Sequence, residues 1–210
     1  MQQGEESQIA DLVSLYTKTK KLVLLAEQLD PESKSNIAIF KEQRDALDHL
    51  MRALEDALPP SEERRGDRYF QLQIDKARGH LFRAAYDALD GLAVSCKIRI
   101  SEAMHGISNE SIHAVYGDYY KHLVEIERVD REIADRRNAK DIGDHTLQNL
   151  EGYHAEVEKL CQVVKDCQSH TAALWDWQTR DSKTKFKEKF FWPIIIGLIL
   201  VAAGAFFKNK

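Results

Sequence analysis

Arg44-Asp45-Ala46-Leu47-Asp48-His49 brings a guanidinium, two carboxylates and an imidazole into one short stretch. Imidazole titrates near neutral pH and carries a proton in either direction, while guanidinium offers a charged fork to phosphate oxygens. Five helical steps turn the Arg44 and His49 side chains about 140° apart, so on one helix they converge only through a helix end or a partner subunit. The same residues also allow a purely structural reading, with Arg44/Asp48 and Asp45/His49 pairs at i,i+4 on a solvated flank. A looser version of the spacing recurs from Arg99 to His105.

A second constellation follows in His80-Leu-Phe-Arg83-Ala-Ala-Tyr-Asp87-Ala-Leu-Asp90. On a helix His80, Arg83, Asp87 and Asp90 share an arc of about 80° on a segment otherwise suited to burial. Charges there must be partnered. They form either a register-setting polar seam with an Arg83/Asp87 pair, or a pocket or subunit interface that Arg44 and His49 could face from the preceding helix. Two Glu-x-x-His steps, Glu110/His113 and Glu151/His154, have the spacing of di-iron helical proteins. The short interval between them leaves no room for the intervening helix, so no metal and no cofactor is expected. Walker, nucleophile-elbow and kinase motifs are absent from the sequence.

The Arg-polar-x-x-x-His pattern at Arg44–His49, with the helix that carries His80 and Arg83, resembles the HEPN superfamily over about residues 40–105. It is most similar to the helical, often inactive members found in prokaryotic defence, including the membrane accessories of RNA-targeting CRISPR effectors. The resemblance implies metal-independent RNA cleavage at a dimer interface. His49 would handle a proton at the ribose 2′-hydroxyl or leaving oxygen, and Arg44 would steady the phosphate.

The elements that must hold these residues are all helical. Few prolines and long runs of three-and-four apolar spacing predict an up-and-down all-α bundle of about five helices. Helix 1 is expected from Glu5 to Leu29, with Asp30 as N-cap of the next helix and Pro31 at its first position. Helix 2 ends at Pro59-Pro60-Ser61. Helix 3 runs from near Ser61 to His105 as the central element, and a turn at Gly106–Asn109 leads into helix 4, from Ile112 to Arg136-Arg137. Asp144 caps helix 5, which has no breaker before the tail. Cys96, Cys161 and Cys167 read as free core thiols.

The tail holds the strongest compositional signal. Phe190 to Phe207 is an uncharged apolar run. It predicts a single transmembrane helix with Lys185, Lys187, Lys189, Phe190, Phe191, Trp192, Lys208 and Lys210 at the membrane interfaces. Residues 1–182 carry 24 Lys+Arg against 33 Asp+Glu, and residues 183–210 carry six lysines and one glutamate, giving −9 and +5 within the net −4. The positive-inside rule then places the N-terminal domain in the cytoplasm, at the inner membrane if the source is bacterial. The organisation expected is a helical domain over 1–182, a basic stalk over 183–189, a membrane span over 190–207 and a basic tail over 208–210.

These signals make the lipid bilayer and further copies of the chain the expected partners. An acidic body is poorly suited to RNA, and charge gives no support to a protein partner either. The function expected is a membrane-anchored effector or accessory that oligomerises and perturbs the bilayer. A tethered HEPN-type ribonuclease and a tail-anchored scaffold are the alternatives.

Overall fold

The computed structural model describes residues 3–32, 34–58, 65–141 and 146–208; for residues 3, 137–141 and 201–208 only the helical backbone is described. All regular elements among them are helical. They are α1 (Gln3–Leu29), α2 (Ile37–Ala57), α3 (Asp67–Met104), α4 (Asn109–Val115), α5 (Tyr119–Asp141), α6 (Leu147–Phe186) and α7 (Trp192–Lys208), with a π turn at Lys187–Phe191. The expected breaker at Pro59-Pro60-Ser61, the cap at Asp144, the Arg137 side chain and the charges of Lys208 and Lys210 lie outside what is described.

The long α3 is the axis of the bundle. It buries Phe70, Ile74, Ala77, Leu81, Ala84, Ala85, Ala88, Leu89, Leu92 and Cys96, apolar groups on most sides, because α1, α2 and α6 all pack against it. Five of those ten positions, Ala77, Ala84, Ala85, Ala88 and Cys96, are small, which lets neighbouring backbones approach closely. Arg99 donates to the carbonyls of Leu29 and Asp30 at 3.2 and 3.3 Å. It therefore satisfies the free acceptors at the end of α1, a structural role for the second Arg-to-His spacing. α5 and α4 lie on α6, with Arg128 of α5 bridging to Glu156 at 3.0 Å.

Local chemistry moves three boundaries. Asp30 is not the cap of α2: its carboxylate accepts from the N–H groups of Glu32 and Lys34, which closes a turn around Pro31. Asn36 takes the capping role instead, accepting from Ala38 N at 2.9 Å. The single expected helix 4 is two, because the chain leaves helical geometry at Tyr116 (φ −135°, ψ 58°). Tyr116 is buried and stacks on His170 of α6, ring centroids 4.0 Å apart and planes 5° from parallel, so tertiary stacking outweighs local periodicity there. Thr146 caps α6, accepting from Asn149 N.

The tail requires the largest correction. Among the described residues no helix is long and apolar enough to cross a membrane. The apolar run does not form one uninterrupted α-helix, because Phe190 and Phe191 belong to the π turn and α7 has 17 residues. At 1.5 Å per residue α7 spans about 25 Å, short of the ~30 Å hydrocarbon core. The π turn has a local cause: Pro193 supplies no N–H and its ring crowds the carbonyl four residues back, and one wider turn relieves both. The expected single-pass membrane location, a cytoplasmic domain tethered by one spanning tail helix, is therefore not supported. Phe190, Phe191 and Trp192 are exposed, and Lys185 pairs with Asp181 at 2.7 Å. Lys187 and Lys189 are exposed in the π turn.

Candidate functional site

The flanks of α2 carry different chemistry. Its core line, Ile39, Ala46, Ala53 and Ala57, is buried against the bundle. On one side of that line Glu42, Asp45 and His49 recur at helical spacing and face α3, which runs antiparallel. On the other side Phe40, Gln43, Leu47 and Leu50 face α1.

On the polar flank His49 Nδ1 lies 2.7 Å from Gln73 Oε1 and donates to it when protonated there. Its ring stacks on His80, centroids 5.3 Å apart. Glu42 Oε2 accepts from Arg83 Nε at 2.7 Å and lies 2.8 Å from His80 Nδ1. Arg83 Nη2 stands 2.7 Å from the same His80 nitrogen. That nitrogen cannot serve both neighbours. Protonated, it donates to Glu42; unprotonated, it accepts from Arg83. Burial pushes the Glu42 carboxyl upward, but the hydrogen bonds from Arg83 and His80 outweigh it and hold the group below its ordinary range. His49, Asp75, Lys76, Gly79, His80 and Arg83 line an open cavity of about 430 Å³.

The paired-histidine arrangement keeps part of what the sequence suggests and discards the rest. His49 does meet His80 and Arg83. Arg44 does not: it turns away, exposed, and pairs with Asp45 at 2.7 Å, which holds that carboxyl below its ordinary value. The 140° between Arg44 and His49 therefore persists, and the Arg-to-His motif is divided between the two flanks of α2. Asp48 pairs with Arg52 at 2.8 Å. Asp90 accepts from the Tyr153 hydroxyl of α6, and Asp87 lies part-buried one turn beyond Arg83 on α3. Glu42, Gln73 and Lys76 escape a motif search, although Glu42-Asp45-His49 and Gln73-Lys76-His80-Arg83 each follow one helix face.

The apolar flank forms the second candidate. α1 and α2 both pack along α3 but make little direct contact with each other. Between them lies a groove of about 460 Å³, floored by Leu81 and lined by Ile9, Leu12, Val13, Tyr16, Phe40, Leu47 and Leu50. Val13 is 54% exposed, Tyr16 46%, Phe40 49% and Leu47 54%, so large apolar groups stand open where the bundle offers no cover. Arg44 sits on the edge of this groove rather than at the histidines.

The Glu-x-x-His pairs have separate occupations. Glu151 bridges to Lys18 at 2.5 Å, and His113 packs on Tyr120. Among the described residues no group of three or more His, Cys, Asp or Glu side chains could hold a metal ion. Comparison with family models, with curated proteins and with solved structures finds no match.

Proposed function

We propose that this chain is a non-enzymatic helical docking module, an accessory or effector that works by associating with further copies of itself. The observation that supports this most is the α1–α2 groove, whose half-exposed Val13, Tyr16, Phe40 and Leu47 are of the size and chemistry that anchor a partner helix. A contiguous apolar surface of this kind is costly to leave wet, and association removes it from water. The residue-level likeness to HEPN-like defence proteins supplies a context, prokaryotic antiviral defence. Bilayer perforation is not part of the reading, since no described helix is long and apolar enough to cross a membrane. Sedimentation of the full chain from about 1 to 100 μM is expected to show concentration-dependent growth in mass, a range matched to binding free energies of about −8 to −5.5 kcal/mol. Leu47→Glu should suppress that growth and His49→Ala should leave it intact; a chain that stays monomeric throughout contradicts the proposal.

One observation favours a second reading. Two stacked imidazoles, with Arg83 and Lys76 beside the same open cavity, are a chemically competent set for metal-independent phosphodiester cleavage, one ring as base and the other as acid. His49, held through Nδ1 by Gln73, keeps Nε2 for proton transfer, and Lys76 with Arg83 would attract phosphate. This reading expects cleavage of single-stranded RNA in the presence of EDTA, leaving 2′,3′-cyclic phosphate ends, and loss of that cleavage in both His49→Ala and His80→Ala. Intact RNA after incubation with the wild-type chain would remove it.

A further inference from the structure

We infer that the α1–α2 groove receives the apolar α7 helix of a second copy of this chain. The inference rests on the self-association reading and names the segment that fills the groove. α7 is an uncovered apolar helix: Ile194, Ile196, Leu198, Ile199 and Leu200 are all more than half exposed. An isolated apolar helix and an empty apolar groove on the same chain are complementary surfaces. Their dimensions agree. The groove walls run from Phe40 to Leu50 on α2, about 15 Å, and a three-turn stretch of α7 spans about the same length.

The geometry assigns the helix to another copy rather than to the same chain. Gln178 of α6 is fastened to the end of α3, its amide donating to Gly106 O at 3.0 Å and its carbonyl accepting from Ser108 N at 2.7 Å. The groove floor, Leu81, lies about 25 residues back along α3, some 38 Å away, and the π turn lies a further ~14 Å beyond Gln178 in the opposite direction. An α7 folded back at the π turn reaches only about 25 Å and falls well short of its own groove.

Charge favours the same pairing. The stalk that leads into α7 carries Lys183, Lys185, Lys187 and Lys189, and residues 183–210 are net positive against a net negative body. Two rods laid antiparallel place each tail at the other's groove. Reciprocal exchange then satisfies both grooves and both tails in one closed pair.

The test uses full-length chain with p-benzoylphenylalanine at position 47, inside the groove, photolysed and mapped by peptide mass spectrometry. A two-chain product whose cross-link falls within residues 190–207 is expected. The double variant Ile196→Glu/Ile199→Glu should lose at least tenfold in both the cross-link and the sedimenting complex while its melting curve in dilute solution stays that of the dilute wild type. Cross-links to any other segment, or within one chain, overturn the tail assignment, and if the complex still forms, self-association survives without it. A monomeric sample that yields no cross-link overturns both.

Discussion

Glu42 illustrates how little a side chain's identity says before its neighbours are known. The Arg44–His49 spacing draws attention to itself, yet the carboxylate that organises the cluster lies two residues earlier and has no motif to mark it. Replacing it by Gln removes the charge that Arg83 and His80 share, and should cost about 1–3 kcal/mol at neutral pH by chemical denaturation. The sign with pH follows from the lowered carboxyl. Its stabilising contribution is complete above the ordinary value of 4.5 and is lost as pH falls through the lower folded value. Wild type and Glu42→Gln should therefore draw together in stability as the pH falls below 4.5, and coincide once it passes the lowered folded value. The thiols make a plainer case. Cys96, Cys161 and Cys167 are free and buried, and burial pushes the Cys167 thiol above its usual range, so all three should resist a thiol reagent such as DTNB until the chain unfolds.

At the scale of elements, helix identity is written in apolar periodicity, while helix ends follow from capping and from contacts across the bundle. Gly106 ends the α3 region with φ 75°, and a Cβ there would stand 3.4 Å from Trp175 of α6. Gly106→Ala should destabilise by about 1–2 kcal/mol, since it combines a left-handed backbone with a tight contact. Gly91, inside α3 with nothing within 4 Å of its would-be Cβ, should behave oppositely. Gly91→Ala is expected to stabilise by about 0.5–1 kcal/mol in the same urea titration. The break at Tyr116 is illegible locally because its cause, the His170 ring, lies on another helix. The tail is instructive in the opposite sense. Counting apolar letters gives a membrane-length segment, but the π turn ahead of Pro193 divides it.

For the whole molecule, α3 and the α6–α7 rod set the form, and the bundle's stability should reside in the former. None of the described α7 side chains, residues 192–200, is buried in the core, so removal of residues 192–210 should change the unfolding free energy by less than about 0.5 kcal/mol in dilute solution. At higher concentration the full chain should melt later than it does when dilute, and the truncated chain should not, because binding between folded copies stabilises by mass action. A melting midpoint independent of concentration in both would argue against self-association.

The sequence by itself determined that this protein is helical, that its third helix is central, that its cysteines are core thiols, and that its charge is split between an acidic body and a basic tail. Those properties depend on periodicity and composition, which act over a few residues. Only the tertiary structure decided that Arg44 and His49 serve different flanks of α2, that Glu42 joins His80 to Arg83, and that an apolar groove and a distant apolar rod are left open. Such relations depend on which helices meet and at what level along α3, and packing between residues far apart in the chain sets both.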